Sequence, residues 1–346
     1  MKKYFFQLLY GKIGIKKIPK KNYLIERLNI DKNKTINLYK VLNGRIYTDC
    51  NTNVAYIKDN NLIPKISYQQ NNHLFGSLKY NSVLYKGTPS FKKKITGKVF
   101  SLVQGASGSN YFHWLFDLLP KIEILFKNGH LKKIDFFYLP TINSFISRTL
   151  KSYGIKEKQL INSSIQKHIE ADEVLTFEHL YIKKGHFHNS FGKIPKWIIF
   201  FLRKKFIKLK KEISFNKHFF IDRSDSKFEH YKINNQIELK KILKKNGFDY
   251  IQLSKIDWYK QIYMFNNAKT IIGLHGAGLA NLVFCRKNTK IYEILVKNHS
   301  QINLYKNISK KIRLNYKKII IPNKKNKKEK KIELNINILK RYFINE

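Results

Sequence analysis

The segment TIIGLHGAGLANLVFC, from Thr270 to Cys285, joins an apolar strand pattern to a histidine and two glycines. Gly276 and Gly278 let the backbone turn tightly and approach a ligand without conflict from a Cβ atom. If a helix begins at about Gly278, its first amides lack intrahelical partners and favour a phosphate group. His275 can donate to a phosphate oxygen at the same turn. The pattern predicts a pyrophosphate site, although a tight turn with a surface histidine has the same spacing.

Two further residues stand at predicted strand ends in the same half of the chain. Glu293 lies near the carboxyl end of the strand TKIYEIL, where an acidic side chain can accept both hydroxyls of a ribose. Arg223 follows the strand HFFID, so its guanidinium suits a bidentate contact with a phosphate. A solvent-facing glutamate and an ordinary ion pair of Arg223 with Asp222 or Asp225 are the alternatives.

An earlier segment, GASGSNYFHWLFDLLP, repeats the order of strand, small-residue loop and helix. His113 and Asp117 are four residues apart on the predicted helix and therefore share one face. A carboxylate paired with an imidazole can hold it as a general base. Ser107, Gly108 and Ser109 stand at the helix start. The alternative is a capped helix with a buried His–Asp bond that serves only stability.

Together these segments resemble glycosyltransferase family 61, also described as the DUF563 domain. The similar pieces are NYFHWLFDLLPKIEIL, FIDRSDSKFEHYKINNQIEL, and LHGAGLANLVFC with its continuation RKNTKIYEIL, within roughly residues 101–298. The resemblance implies a GT-B-like fold and inverting transfer of a sugar from a nucleotide-sugar, often UDP-linked. The nucleotide-sugar is a substrate, and no cofactor is expected.

The resemblance assigns residues to two sites by their position in the motifs. His113 and Asp117 match the first motif and are the candidate catalytic residues. The candidate nucleotide-sugar-binding residues are Arg223, Lys232, His275, Gly276, Ala277, Gly278, Asn281 and Glu293.

Two features of the loop after Arg223 bear on the donor. Family members tend to place further arginines there, whereas this chain has Glu229 and His230, with Lys232 as the nearest cation. The donor's identity and the affinity for its phosphates therefore stay open. The SDS segment at 224–226 does not supply an acidic metal-binding motif, so we expect metal-independent transfer.

The elements that must position these residues fall into four segments. Residues 1–95 combine a basic segment with a small antiparallel β region. Residues 96–212 and 213–315 each alternate strands with helices, which predicts an α/β fold with parallel sheets. With the resemblance, this becomes a GT-B-like pair of Rossmann-like domains, acceptor side first and nucleotide-sugar side second. Residues 316–346 carry a last strand, a lysine-rich tract and a helix.

The charge of the chain leaves two interpretations open. The 346 residues include 68 Lys and Arg against 23 Asp and Glu, for a net charge of +45. This balance fits a polyanionic partner, such as nucleic acid or an anionic membrane surface. Lys, Ile and Asn are also abundant throughout the chain, so the charge can be compositional. No nucleic-acid-binding motif is recognised, and the aromatic residues follow core periodicities.

Cysteine spacing and hydropathy restrict the compartment and the membrane relation. Cys50 and Cys285 are too far apart in sequence to indicate a metal motif or a disulfide framework. The histidines of GHFH, His186 and His188, lack further ligands at metal spacing. No window approaches the ~20 apolar residues of a membrane span. We expect a cytoplasmic protein, peripheral at the inner face of the cell membrane, with a short interfacial helix near residue 4.

These observations lead to one main prediction of function and two alternatives. The main prediction is a glycosyltransferase that moves a sugar from a nucleotide-sugar to a saccharide or lipid-linked saccharide acceptor in surface polysaccharide synthesis. The alternatives are a nucleic-acid-binding basic α/β protein and a catalytically inactive sugar-binding scaffold.

Overall fold

The computed structural model describes most of the chain. The described residues are 2–16, 19, 22–31, 33–71, 74–75, 78–104, 110–181, 185–186, 193–225, 231–297, 303–322, 331–335, 337 and 339. They form two compact units, Met1–Trp197 and Ile198–Glu346. The predicted Ser107–Ser109 loop, Glu229, His230, His188 and nearly all of the lysine-rich tract lie outside the described residues. No helix in the described ranges is both long and apolar enough to cross a membrane.

The first unit is built on one mixed sheet of eleven strands. The strands are β1 (Leu24–Asp31), β2 (Lys34–Thr48), β3 (Asn53–Lys58), β4 (Asn61–Leu62), β5 (Tyr68–Asn71), β6 (Leu74–Phe75), β7 (Lys92–Ser101), β8 (Phe136–Leu139), β9 (Leu160–Asn162), β10 (His168–Phe177) and β11 (Gly185–His186). Their order is β11-β6-β5-β3-β2-β10-β7-β8-β9, with β1 paired to β2 and β4 to β3. Strands β10, β7, β8 and β9 are parallel to their neighbours within that group, and β10 is antiparallel to β2.

The pairing of β2 with β10 corrects the predicted N-terminal segment. The antiparallel strands before residue 95 are continuous with the parallel strands that follow, so the first unit has one sheet where the sequence suggested a separate β region. Hairpin periodicity is a local signal, and it does not reveal a partner strand more than a hundred residues later. Strand β1 follows the basic N-terminal segment and was not predicted from the sequence.

The parallel strands of this sheet have a topological switch point. The chain proceeds from β7 to β8 and β9 on one side of β7, and then crosses to place β10 on the other side. Connections therefore leave the carboxyl ends of β7 and β10 in opposite directions. In open parallel sheets this is where ligands bind.

The helices of the first unit include one with a wider turn. They are α1 (Lys2–Tyr10), α2 (Val83–Lys86), α3 (Tyr111–His113), α4 (Leu119–Lys127) and α5 (Ser144–Lys151). A π-helical turn, Trp114–Leu118, joins α3 to α4, with the amide of Leu119 bonded to the carbonyl of Trp114. Pro120 has no amide hydrogen to donate. The chain accommodates the proline by widening one turn, and it stays helical.

The second unit contains a five-stranded parallel sheet. Its strands are β12 (His218–Asp222), β14 (Asp249–Gln252), β15 (Thr270–Leu274), β16 (Lys290–Val296) and β17 (Asn315–Ile321), in the order β14-β12-β15-β16-β17. The helices are α6 (Lys196–Phe206), α7 (Gln236–Lys245), α8 (Trp258–Asn267) and α9 (Leu304–Lys311). Strands β13 (Lys232–Ile233) and β18 (Lys331–Ile332) form a separate pair. A switch point lies between β12 and β15, because the chain leaves them toward opposite edges.

The two units divide at 197/198, whereas the sequence placed the boundary between 212 and 213. Contacts of α6 explain the difference. Phe206 packs edge-on against Trp258 with ring centroids 5.0 Å apart. Arg203 donates to the carbonyls of Val283 and Cys285 at 2.7 and 2.6 Å. The helix assigned to the first half thus packs in the second unit, and β17 likewise joins the second sheet.

Candidate functional site

His113 and Asp117 form a buried hydrogen-bonded pair. Nδ1 of His113 lies 2.6 Å from Oδ2 of Asp117. Asp117 is fully buried, His113 is 8% exposed, and the Tyr181 hydroxyl donates to the other carboxylate oxygen. Burial disfavours the charged carboxylate, but the hydrogen bonds and charges of its partners outweigh this and hold the pKa of Asp117 below its usual range. With Asp117 ionised, the proton of His113 sits on Nδ1 and the basic lone pair on Nε2.

A buried lysine that was not predicted from the sequence is connected to this pair through two side chains, Gln104 and His179. Nζ of Lys121 donates to Oε1 of Gln104 at 2.8 Å. Nε2 of Gln104 lies 2.9 Å from Nε2 of His179, which is 4.0 Å from Oδ2 of Asp117. Burial lowers the pKa of Lys121 to about 7 and that of His179 to about 3, although the charge of Asp117 opposes both shifts. His179 is therefore neutral at physiological pH, whereas Lys121 titrates there.

This cluster sits at the switch point of the first sheet. Gln104 follows β7, and His179 and Tyr181 follow β10. Lys121 could have been found from the sequence, because it repeats the four-residue spacing of His113 and Asp117 on an otherwise apolar helix face. His179 and Tyr181 could not have been found from the sequence, since only the parallel pairing of β7 and β10 brings them to the helix that carries Asp117.

Replacing Lys121 by methionine is expected to raise stability more at pH 7 than at pH 9. An unfolded lysine keeps its proton up to about pH 10.4, whereas the buried one releases it at about pH 7. The unfavourable contribution of Lys121 to the stability of the wild-type protein is therefore fully present below pH 7. It decreases as the pH rises from 7 toward 10. Between pH 7 and 9 the relief is about 2 kcal/mol. Denaturant unfolding of both proteins at the two pH values measures it.

The comparison between pH values separates charge from packing. Loss of the hydrogen bond to Gln104 shifts the variant equally at both pH values, so only the titration of Lys121 makes the difference between the proteins depend on pH. A constant difference between variant and wild type would contradict a lysine that titrates near neutrality.

Arg223, His275, Gly276 and Glu293 meet at the switch point of the second sheet. Arg223 follows β12, and its Nη1 donates to the carbonyl of His275, which follows β15. A Cβ atom on Gly276 would overlap the Arg223 guanidinium. Gly276 has a φ of 163°, an extended value open to any residue, so the guanidinium and not the backbone requires glycine there. The predicted strand-end residues are thus brought together, and burial lowers the pKa of Arg223.

Glu293 supports His275 from behind. It is 1% exposed, and one carboxylate oxygen bonds to Nδ1 of His275. The other oxygen accepts from the hydroxyl of Tyr316 on β17. Burial and the neighbouring carboxylate raise the pKa of Tyr316, so its hydroxyl stays a donor. Because both oxygens have protein partners, the contacts favour a role for Glu293 in orienting His275 over direct contact with a ribose.

Tyr305 and Asp222 complete this cluster, and local spacing gave no signal for Tyr305. Tyr305, on α9, donates its hydroxyl to the carbonyl of Gly276 at 2.6 Å and places its ring 5.1 Å from that of His275. Asp222 accepts hydrogen bonds from the amide and hydroxyl of Ser224, both at 2.8 Å, and does not pair with Arg223. The alternative ion pair of Arg223 with this aspartate is thus not formed.

The turn after β15 leads into a 3₁₀ helix, Ala277–Phe284, where the sequence predicted an α-helix from about Gly278. At about 2.0 Å per residue, eight 3₁₀ residues span about 16 Å, against about 12 Å for an α-helix. The tighter helix lets a short connection return along the sheet. The first amides of either helix type lack intrahelical partners.

The structure does not bring every predicted donor-site residue into the cluster. Asn281 is fully buried and donates to Gln261 on α8 at 3.0 Å, so it ties the 3₁₀ helix to that helix. Lys232 lies in the separate β13–β18 pair with an exposed side chain. Gly278 packs near Leu253, where an added Cβ would come within 3.1 Å.

Neither a metal cluster nor a disulfide is found among the described residues. In those ranges, no three His, Cys, Asp or Glu side chains are grouped so that they could hold a metal ion. Cys50 and Cys285 are both free thiols.

Comparison with known proteins bears directly on this arrangement. A family model described as Glycosyltransferase 61 matches residues 111–292, slightly more than half of the chain. The match contains both clusters' motifs, from His113 to His275, and ends one residue before Glu293. No curated protein matches the chain significantly. The match favours an enzyme over the nucleic-acid-binding alternative, and the chain belongs to the glycosyltransferase 61 family.

Proposed function

We propose that this glycosyltransferase moves a sugar from a nucleotide-sugar, UDP-linked in the simplest case, to a hydroxyl of a saccharide or lipid-linked saccharide. The product would be a surface polysaccharide or glycolipid, made on the cytoplasmic side of the membrane. A GT-B-like pair of Rossmann-like domains is part of this proposal. The observation that supports it most is the convergence of Arg223 and His275 at the carboxyl ends of adjacent parallel strands.

The second unit would bind the donor nucleotide. A diphosphate at the switch point would meet the Arg223 guanidinium and the first amides of the 3₁₀ helix, both of which favour negative charge. Because Gly276 has no Cβ atom, the Arg223 guanidinium can lie directly against the backbone of this turn. His275, oriented by Glu293 through Nδ1, would donate to a phosphate oxygen from Nε2, which requires the doubly protonated ring.

The first unit would supply the base for the acceptor. Asp117 is fully buried, so it would act through His113, and Nε2 of His113 would take the proton of the acceptor hydroxyl. The hydroxyl oxygen forms a bond to the anomeric carbon while the bond to the leaving diphosphate breaks. A single in-line displacement of this kind inverts the configuration of the sugar.

A thermal-shift screen tests the donor directly. Ligands that bind only the folded state raise its melting temperature, so the acceptor need not be known. We expect UDP and UDP-sugars to stabilise the protein. If no nucleotide or nucleotide-sugar shifts the melting temperature, the proposed donor site is wrong.

Glu293→Ala is expected to weaken UDP binding by about 1–3 kcal/mol, the range for losing one buried hydrogen-bonded group. The loss arises because His275 is no longer held in place. Isothermal titration calorimetry with UDP measures it, and Tyr316→Phe serves as a matched control that removes one hydrogen bond to the same carboxylate while keeping its charge. If Glu293→Ala binds UDP with wild-type affinity, Glu293 does not contribute to nucleotide binding.

Turnover is expected to survive EDTA. In this proposal Arg223, His275 and the helix-end amides stabilise the charge that develops on the leaving diphosphate. Activity is measured before chelation, after it, and again with added manganese or magnesium. Complete loss on chelation, reversed by either metal, would contradict charge stabilisation by the protein alone.

A further inference from the structure

Helix α1 exposes one apolar face to solvent. Phe5, Leu8 and Leu9 are 51%, 86% and 50% exposed. Their spacing of three and four residues places them side by side on the helix surface. Phe91, 67% exposed, extends this face, with its ring centroid 6.4 Å from that of Phe5. These four side chains are called the α1 face below.

Tyr10 attaches α1 to the body of the first unit. The Tyr10 ring packs edge-on against His168, with ring centroids 4.9 Å apart, and Phe6 packs edge-on against Phe91 at 5.5 Å. The Tyr10 hydroxyl accepts from the amide of Lys92 at 2.9 Å, and the Tyr10 carbonyl accepts from Arg45 at 3.2 Å. The helix is held in place by these contacts, and its apolar face is therefore a fixed surface of the unit.

The segments that form the α1 face are rich in lysine. Positions 1–25 and 60–116, which supply α1 and Phe91, contain seven lysines each and no Asp or Glu. Lys12 and Lys16, just after the helix, are exposed. Lys92, next to Phe91, is paired with Glu170. The remaining excess of positive charge beside apolar side chains matches one kind of partner better than others: an apolar layer under a sheet of negative charge.

We propose that the α1 face docks this protein on an anionic lipid bilayer. Phe5, Leu8 and Leu9 would enter the boundary between head groups and acyl chains, as the apolar side of an interfacial helix does. Each lysine near the surface adds about 1 kcal/mol of attraction to anionic lipid. The inference rests on this surface alone and is independent of the proposed catalytic reaction.

Other occupants fit the same surface less well. A second copy of the chain would bring two lysine-rich surfaces together, and like charges oppose such a symmetric contact. A nucleic acid would match the lysines through its phosphates but would leave the α1 face in water. An anionic bilayer satisfies both the charge and the apolar side chains.

Vesicle co-sedimentation tests the proposal with Leu8→Glu and a matched control. The control is Ile165→Glu, which makes the same change of charge at an 82% exposed residue of the same unit. Vesicles of phosphatidylcholine alone are compared with phosphatidylcholine mixed with phosphatidylglycerol. We expect the wild type and Ile165→Glu to bind the anionic vesicles, and Leu8→Glu to bind them at least about tenfold more weakly, as the loss of one buried leucine implies.

Three outcomes would overturn the proposal. Equal binding by Leu8→Glu and Ile165→Glu would mean that charge alone holds the protein on the bilayer. Equal binding to neutral and anionic vesicles would mean that the lysines do not contribute to binding. A concentration-dependent dimer in light scattering that Leu8→Glu dissociates would assign the α1 face to a second copy. Leu9→Gln, read beside circular dichroism of each variant, guards against a folding defect peculiar to Leu8→Glu.

Discussion

Asp117→Asn is expected to lower turnover per folded molecule by roughly 10²–10⁴, the usual contribution of general acid–base catalysis. The amide keeps the volume of the carboxylate but not its charge, so it no longer fixes the proton of His113 on Nδ1 or stabilises the imidazolium that forms during reaction. Nucleotide affinity is expected to stay at the wild-type level, because the change lies in the first unit. Turnover normalised to folded protein, beside calorimetry with UDP, measures both.

The same substitution also affects stability, which is why normalisation matters. His113 and Tyr181 both donate to the carboxylate. An asparagine turns its NH₂ toward one of these donors, and a buried donor without an acceptor costs about 1–3 kcal/mol. Tyr181→Phe is the matched control, since it removes one of these bonds and keeps the charge. A lower melting temperature with unchanged normalised turnover would make the pair structural and would favour the inactive sugar-binding scaffold.

Arg223→Met is expected to reduce turnover by about 10²–10³ and to weaken UDP binding. Methionine keeps an apolar stem in the half-buried position but removes the guanidinium that would neutralise the leaving diphosphate, and the loss of one preorganised donor has this magnitude. Arg223→Lys restores a positive charge without the planar fork, so its turnover should lie between the two. Steady-state kinetics with the nucleotide-sugar that the thermal-shift screen identifies supplies the values.

Two glycine substitutions test the same arrangement while Arg223 itself is kept. Gly276→Ala places a methyl group where the Arg223 guanidinium lies, so it should reproduce much of the Arg223→Met defect. Gly278→Ala places its methyl group near Leu253 instead, at 3.1 Å, and should mainly cost stability. If Gly276→Ala turns over like the wild type, the observed position of Arg223 is not the one that matters for catalysis.

Sequence patterns predicted the second unit better than the first for a physical reason. In the five-stranded sheet of the second unit, each strand pairs with the strand before or after it in that sheet, and helices separate the strands, so periodicity and turn residues describe this sheet well. Helix α7, which Gly247 follows, and the strand β15 (Thr270–Leu274) fit these local signals. In the first unit β10 pairs with both β2 and β7, and no local signal carries that information.

The candidate site was predictable where a motif held its members together. His113 with Asp117, and His275 with Gly276, are close in sequence and in space. Partners from distant elements were missed, such as Tyr316 from the last strand of its sheet. The resemblance also placed Asn281 in the donor site. Its side chain is buried and bonded to Gln261, and its role in donor binding stays a prediction. Motif spacing identifies the turn, and the surrounding sheet decides which side chains reach it.

The strand β2 also has a consequence for how the chain acquires its structure during synthesis. Its partner on one side, β10, places Phe177 opposite Leu38, so the centre of the first sheet closes only after a long stretch of chain has emerged. Contacts of such long sequence separation slow folding, because the entropy of closing the loop is lost before the contacts form. Until then, β2 offers an unpaired edge with buried-type residues such as Val41 and Ile46. Production of this protein should therefore benefit from slower translation or from chaperones that shield exposed strands.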